Sequence, residues 1–542
     1  MTQTRSKTQT AEVFLSVGQQ VTLAVAALFA LLYIWTFGFT GLLQLTAAAI
    51  TLFYLVFVGA KLVVSFAGAG YRFPELTLPD VHDADLPTYS ILVPMRGENA
   101  VGFDKLVKAL ARLHYPVDKL QVLFLIDEDD QETLAMVDGF TLPQHMEVVE
   151  VPDAGPRTKP RACDYGMNAV TGDMTVIFDF EDRPEPDALL KAVATMRYER
   201  FTNRNVACVQ GMLQFWNPRG GLANVFYWAE YVVHFQWILL GMARLGLVPP
   251  LGGTSNHFLT SALYEVDRQY GTYAFPRRGT GEIVRMPNVW DAFNVTEDAD
   301  LAARFKRCGF LIRMLHAFTF EEAPNTLRKA RNQKSRWIKG YLQTWLVQSR
   351  RPIASMREMG VMQYFVYNLF IGGTPFSLII NPIVWLTTLL YVVSRLAGWE
   401  GVTLYIEGLF PAPVYYTAMF VAVFGNAILL YQQLVTVVRQ QEHESFAHQP
   451  AGMQRQQFGL TPRLLIGLVP WWIFTTVPAY MGVLELLNPG KRYFWNKTPH
   501  SHAAGQEGEV FAVDASRQPA ALPSSPQLGF DDRPTVEQQR VK

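Results

Sequence analysis

Four clusters of chemically capable residues follow one another along the middle of this chain: Asp127 to Asp130, Asp179/Glu181/Asp182, Thr296-Glu297-Asp298 and Gln333-Lys334-Ser335-Arg336-Trp337. The acids are hard oxygen donors of the kind that hold Mg2+ or Mn2+ through few protein ligands while phosphate oxygens complete the shell. Asp179 with Glu181 or Asp182 is spaced for that task. Arg336 presents paired donors that grip a diphosphate, and Trp337 a flat face that stacks on a sugar ring or walls an acceptor channel. Sugar transfer from a nucleoside diphosphate needs these parts: charge compensation for the departing diphosphate, and a carboxylate that takes the proton of the attacking hydroxyl. Asp298 is the candidate base, preceding a helix expected to begin near Leu301, with Glu297 orienting it or the ion. Each acidic cluster alone also reads as helix capping or loop solvation, and Thr296-Glu297-Asp298 as an ordinary helix N-terminus. Three in series between apolar spans favour a site.

Strand ends must carry such residues. Tyr89 to Pro94 is a short apolar strand, Leu120 to Ile126 a second that runs directly into Asp127, and Met174 to Phe178 a third that runs into Asp179. Open α/β sheets bind ligands at the C-terminal ends of their strands. With helical spacing from Phe103 to Leu113, residues 85–350 are predicted to be an α/β domain. Gly252-Gly253-Thr254-Ser255-Asn256-His257 reads as a connecting loop whose glycines allow close backbone approach and whose polar side chains suit a sugar. His257 lacks a ligand-spaced partner for zinc. Phe226 to Leu245 is apolar and aromatic, with Glu230 and His234 in its middle and Arg244 near its end. It reads either as a helix lying at a membrane interface or as a buried core helix, and Met356 to Leu369 presents the same choice.

Half of the 542 residues are hydrophobic (50%) and the formal charge is zero, which argues against a nucleic-acid partner. Cys163, Cys208 and Cys308 match no metal-ligand spacing and read as inert thiols in a reduced compartment. Val21 to Phe39 and Leu42 to Phe66 are each long and apolar enough to cross a bilayer, with Thr40-Gly41 as the tight link between them. Pro375 to Val393, Val414 to Val438 and Leu464 to Leu487 are further apolar stretches. The link carrying Arg439, Arg455 and Arg463 is more basic than that from Arg395 to Pro411, which puts it and the large domain in the cytoplasm. Pro470-Trp471-Trp472 and Pro478 interrupt the last stretch, which is expected to fold back or lie at the interface rather than cross cleanly. From Ser501 onward the composition is that of a disordered tail. The expected organisation is an N-terminal cytosolic segment (1–20), two transmembrane helices (21–67), the catalytic domain (85–350), an interface helix with C-terminal transmembrane helices (351–488) and a cytosolic tail (489–542).

Taken in order, the motifs resemble those of the membrane-embedded family 2 glycosyltransferases, the group of cellulose, curdlan, hyaluronan and chitin-type synthases, over roughly residues 20–500. The resemblance implies a GT-A-like cytosolic glycosyltransferase domain inserted between transmembrane helices, with amphipathic interface helices. Pro94 and Glu98 would belong to the first nucleotide loop and Asp127 would contact uridine, while Lys159 and Arg161 lie in the segment flanking the diphosphate. Asp179 and Glu181 match the metal-binding Asp-x-Asp, with Asp182 adjacent, and Asp298 matches the base. Gln333, Arg336 and Trp337 match the motif that binds the diphosphate and the acceptor end. The family implies inverting, processive transfer from a UDP-sugar, glucose first and N-acetylglucosamine or mannose as alternatives, to a growing β-linked polysaccharide that leaves through a channel of the enzyme's own helices. A non-processive enzyme glycosylating a lipid is the competing reading. The implied partners are the UDP-sugar donor, the polysaccharide acceptor, the lipid bilayer and accessory export or regulatory subunits; the implied location is a bacterial inner membrane. The first loop, Pro94-Met95-Arg96-Gly97-Glu98, and the acid-rich Asp127-Glu128-Asp129-Asp130 depart from the common forms.

Overall fold

The computed structural model describes residues 9–215, 222–420, 428, 431, 432, 435 and 460–494. Its centre is a mixed eight-stranded sheet. β1 (Tyr89–Met95), β2 (Leu120–Asp127), β3 (Met146–Val151) and β4 (Met174–Ile177) are parallel, in the order β3-β2-β1-β4. Ile91, Leu92, Val93, Leu123, Phe124, Leu125, Ile126 and Val176 are all fully buried, because helices cover both faces; such strands read as continuous apolar runs rather than alternating ones. The sheet continues through β7 (Asn256–Leu259), β6 (Val206–Phe215), β10 (Leu311–Glu321) and the short β5 (Arg183–Pro184). β7 is antiparallel to both its neighbours, and β6 and β10 are parallel to each other.

Register decides what meets at the sheet edge. Met95 pairs with Ile126 and Leu92 with Ile177, so Arg96, Asp127 and the turn beginning at Phe178 leave the sheet on one side. Glu321 pairs with Phe215 on that side as well. The segment from 252 to 257 is not a loop in full: Asn256 and His257 lie inside β7, buried, where His257 Nδ1 and the Tyr89 hydroxyl are 2.6 Å apart. The Asn256 amide nitrogen donates to the Gly252 carbonyl (2.6 Å), and the Thr254 hydroxyl is taken up by Asp182. Cys163 and Cys208 are buried and Cys308 is half-buried, all three as free thiols.

α1 (Val17–Ala69) opens with a capping box between Ser16 and Gln19. At Gly38 the backbone takes φ 71° and ψ 173°, a conformation for glycine alone, and the chain doubles back there rather than at Thr40-Gly41. Both ends of α1 therefore reach the α/β domain: Gln19 donates to the Leu346 carbonyl (2.8 Å), and Arg244 donates to the Ala67 carbonyl (3.0 Å). Deeper along the second half, Tyr54 donates to Ser377 O and Gln44 to Gly408 O. Two helices among the described residues are long and apolar enough to cross a membrane, α1 and Val361–Ala397. Val21, Leu23, Val25, Leu28, Phe29 and Leu31 stand exposed on the first.

The stretch from Phe226 to Leu245 is helical in three pieces: α6 (Leu222–Val233), a π-helical turn (His234–Leu239) and α7 (Leu240–Arg244). Its aromatic face packs on β6, α1 and the helix Leu460–Leu487. Met356 to Leu369 is not one helix, because Gly360 (φ 92°) divides it into the end of Pro352–Met359 and the start of Val361–Ala397. The last apolar stretch is a continuous helix, Leu460–Leu487, through Pro470 and Pro478, so the expected interruption is absent. Most of Val414 to Val438, the link that follows it as far as residue 459, and everything after residue 494 lie outside the described residues.

Candidate active site

At the end of β2, Asp127 is buried and accepts from two guanidiniums, Arg96 and Arg161. Arg161 is fully buried and also donates to the carbonyls of Pro152 (2.7 Å) and Ala154 (3.2 Å). It braces Asp127 from beneath and is not gathered with Asp179. Arg96 forks onto both oxygens of Asp129, each at 3.0 Å. Arg157 bridges Asp153 (2.6 Å) and Asp129 (3.1 Å), Arg277 pairs with Glu128, and Arg278 with Asp153. Hydrogen bonds from these arginines hold Glu128, Asp129 and Asp153 below the usual carboxylate range. Asp127 is the exception: burial pushes it up in spite of Arg161 and Arg96. Pro94 lies at the end of β1 beside this group, and the Glu98 amide donates to Thr133 Oγ1 (3.2 Å).

The second group sits beyond β4. Lys159 opens α4 (Lys159–Gly166); its ammonium pairs with Asp179 and donates to the Gly253 carbonyl (2.6 Å). Along 179–182 burial alternates: Asp179 and Glu181 are half-buried, Phe180 and Asp182 are buried. Asp182 is turned inward, where its Oδ2 accepts from the Asp179 amide (2.6 Å) and the Thr254 hydroxyl. It shapes the turn, while Asp179 and Glu181 share the outward side.

Thr296-Glu297-Asp298 joins the same space. α9 (Glu297–Arg307) begins at Glu297 rather than near Leu301, so Asp298 lies in its first turn and accepts from the Ala299 amide (2.8 Å). A side-chain carbon at Gly253 would lie 3.7 Å from both Asp298 Oδ2 and Lys159 Nζ. α10 (Leu327–Gln348) carries Gln333, Arg336 and Trp337 and is keyed to this turn. Val295 donates to Gln343 (3.1 Å), Asn294 to Thr344 (2.8 Å) and Gln348 to Asp300 (2.8 Å). Gly340 lets α10 approach so closely that a Cβ there would meet Thr296 Oγ1 at 2.4 Å. Gln333 is buried with its Oε1 lacking a hydrogen-bond partner among the described residues. The Arg336 charge acts on both Asp179 and Asp298. Trp337 stands apart, its ring 5.7 Å from Tyr227 and 5.8 Å from Tyr231.

Acids outnumber cations in this second group. Burial raises Asp179 and lifts Asp182 well above the carboxylate range, each helped by its acidic neighbours. Burial and Asp298 push Glu297 up to about 8, against the pull of Lys159. Burial puts Asp298 at about 6, held there by the Ala299 amide, Lys159 and Arg336. Asp298 is thus the more readily ionised of the pair and the better base near neutral pH. Burial works against the Lys159 charge, yet its ion pair with Asp179 keeps it firmly protonated. Glu321, at the end of β10, belongs to this group: burial lifts it well above its usual range, reinforced by Asp182, Glu181 and Asp179. Glu321 carries the same sequence signal as Asp127 and Asp179, an acid closing an apolar strand.

Among the described residues no three His, Cys, Asp or Glu side chains form a ready metal cage. The donor set nevertheless fits a hard divalent ion of low protein coordination: Asp179 and Glu181 are both half-buried beside one turn, and crowded, desolvated carboxylates gain from a cation.

Residues 87–340 match the family described as "Glycosyltransferase like family 2". The chain is 25% identical over 332 residues to the probable glycosyltransferase YdaM of Bacillus subtilis (strain 168), covering 60% of this chain and 72% of that one. It is 22% identical over 264 residues to a probable glycosyltransferase of Sulfolobus acidocaldarius, covering 47% of this chain and half (50%) of the relative. Among solved structures, the mannosyltransferase PcManGT from Pyrobaculum calidifontis, in complex with GDP-Man and Mn2+, superposes with a TM-score of 0.42 at 16% identity, over 67% of this chain and 97% of that one. Residues 87–340, a mixed α/β sheet with acids along one edge, are thus similar to a family 2 glycosyltransferase domain.

Proposed function

We propose that the chain is a processive, inverting polysaccharide synthase of a bacterial inner membrane. It takes sugar from a UDP-sugar, UDP-glucose first among donors, and extends a β-linked polymer that passes out between its own helices. The observation that carries this reading is the gathering of Lys159, Asp179, Glu181, Asp298 and Arg336 around one space beside two long apolar helices. Pro94, Glu98 and Asp127 hold the uridine end, with Arg161 fixing Asp127 in place. Asp179 and Glu181 would hold Mg2+ or Mn2+, which supplies charge compensation for the diphosphate. Lys159 and Arg336 bring fixed positive charge to the same leaving group. Asp298 takes the proton of the acceptor hydroxyl as that oxygen attacks the anomeric carbon from the face opposite the diphosphate, which inverts the centre. Glu297, protonated near neutral pH, adds no second negative charge beside the base. Gln333 and Trp337 meet the acceptor sugar. The exposed apolar surface of α1 supports a bilayer as its surroundings, with the domain on the cytosolic side.

Purified full-length protein in detergent or nanodiscs, offered several labelled UDP-sugars, tests the reading by product length and linkage. Long β-linked chains from UDP-glucose are expected. A single sugar added to a lipid would reject processivity and keep the transferase, and long chains from UDP-N-acetylglucosamine would correct only the donor.

A further inference from the structure

We propose that Glu230 is a positioning residue that fixes α10 against the membrane-side helices, and so sets where Trp337 and Arg336 stand relative to the acceptor; this rests on the transferase reading above. Glu230 is the only charged residue of α6. One of its carboxylate oxygens pairs with the Lys334 ammonium, and the other accepts from the Trp471 indole N–H at 2.8 Å. The Lys334 ammonium in turn lies over three rings, those of Tyr227 (4.8 Å), Trp471 (5.4 Å) and Trp337 (5.9 Å). Phe226 stacks on Trp471 at 5.1 Å, and the Tyr227 hydroxyl donates to the Ala330 carbonyl of α10 (2.8 Å). Lys61 of α1 lies within electrostatic reach of the same carboxylate. Three helices with separate places in the sequence, α6, α10 and Leu460–Leu487, thus meet at one carboxylate, and α1 lies beside it.

Helical geometry shows what this controls. At about 100° per residue, Lys334 and Arg336 project about 160° apart around α10, while Trp337 lies about 60° from Lys334. Lys334 is therefore held from the side opposite Arg336. A turn of α10 about its axis that relaxes Lys334 carries Arg336 away from the acids and tilts Trp337 off Tyr227 and Tyr231. The Lys334 side chain is 13% exposed and that of Glu230 33%, so the pair is poorly replaced by water. Farther along α10, Lys339 donates to Glu485 (2.9 Å) and to the carbonyls of Lys491 and Phe494, which ties the same two helices again and leaves rotation near Lys334 as the freedom Glu230 removes.

The test is a thermodynamic cycle on full-length protein, with Glu230→Gln, Lys334→Met and the double variant, and Trp471→Phe to remove one hydrogen bond with the ring kept. Donor KM, acceptor KM, kcat, acceptor-independent hydrolysis of the donor, and melting temperature are read for each. The expected result is an acceptor kcat/KM lowered by about tenfold or more, short of the ~10²-fold of a 1 Å misplacement. Donor KM and donor hydrolysis should worsen through Arg336 but by less than acceptor kcat/KM, the double variant should be no worse than either single one, and Lys334→Arg should recover most of the loss. Wild-type acceptor kinetics in Glu230→Gln and Trp471→Phe would overturn the inference alone, as would losses that follow only the melting temperature. A wild-type protein that hydrolyses donor and transfers no sugar would overturn the functional reading and this inference with it.

Discussion

Beyond the ends of β2 and β3 four acids meet arginines, Asp127 with Arg161 and Arg96, Asp129 with Arg96 and Arg157, Asp153 with Arg157 and Arg278, and Glu128 with Arg277, while Asp130 accepts from the Gly97 and Thr133 amides. Beyond β4, on the same sheet edge, Lys159 acts on Asp179, Glu297, Asp298 and Glu321 and Arg336 on Asp179 and Asp298, while Glu181 and Asp182 add further negative charge. The proton affinities divide accordingly. Arginine hydrogen bonds lower Glu128, Asp129 and Asp153 in the first group, and burial with repulsion between neighbouring acids raises Asp179, Asp182, Glu297 and Glu321 in the second. A saturated network is a rigid mould, suited to a nucleoside whose shape does not change during transfer. Carboxylates stacked against one another hold energy that a cation and a moving proton can use. On the proposed function, one half of this edge holds the nucleoside and the other carries the reaction.

That contrast can be broken at either end. Chelation of divalent ions should abolish sugar transfer to background, restored by Mg2+ or Mn2+, and Asp179→Asn should raise the ion concentration required; activity indifferent to chelator would remove the ion from the account. In the holding half, Arg161→Met leaves Asp127 desolvated without its buried partner and should cost about 3–5 kcal/mol of stability, read by denaturant or thermal unfolding. In the reacting half, Asp298 must be ionised to accept a proton, so kcat/KM should fall about tenfold per pH unit below about 6, well above the limb of an ordinary carboxylate. A further effect is on how stability changes with pH. Folded Glu297, at about 8 against an ordinary 4.5, keeps a proton that the unfolded chain releases. Its contribution is present below about pH 4.5 and lost as pH rises towards 8, and Glu297→Gln should flatten that slope.

Much of this site was legible in the sequence because strands end where their apolar runs end. Asp127 and Asp179 follow such runs directly, and parallel pairing of β1 with β2 and β4 puts them on one edge without further information. The helix of Arg336 could be read as a helix, but its docking against Thr296 depends on Gly340, Gln343 and Thr344, whose partners are about fifty residues away. The arginine network is hidden for the same reason: Arg277 and Arg278 reach Glu128 and Asp153 from the hairpin of Tyr273–Pro276 and Ile283–Met286, far along the chain. The polar run Thr254 to His257 resembled a ligand loop and became a buried strand with its approach, because antiparallel pairing with β4 and β6 took it into the sheet. Proline misled in the last apolar stretch, where Pro470 and Pro478 are carried within one helix. Asp182 and Glu181 are neighbours in sequence, and only the turn's hydrogen bonds separate the inward acid from the outward one.

On the proposed function, Asp298 takes the acceptor's proton beside Lys159, Asp179 and Arg336. The most direct test measures UDP affinity and sugar incorporation on the same preparation of Asp298→Asn. Retained UDP binding with transfer reduced by about 10²–10⁴-fold is the predicted result. Transfer at the wild-type rate would contradict it.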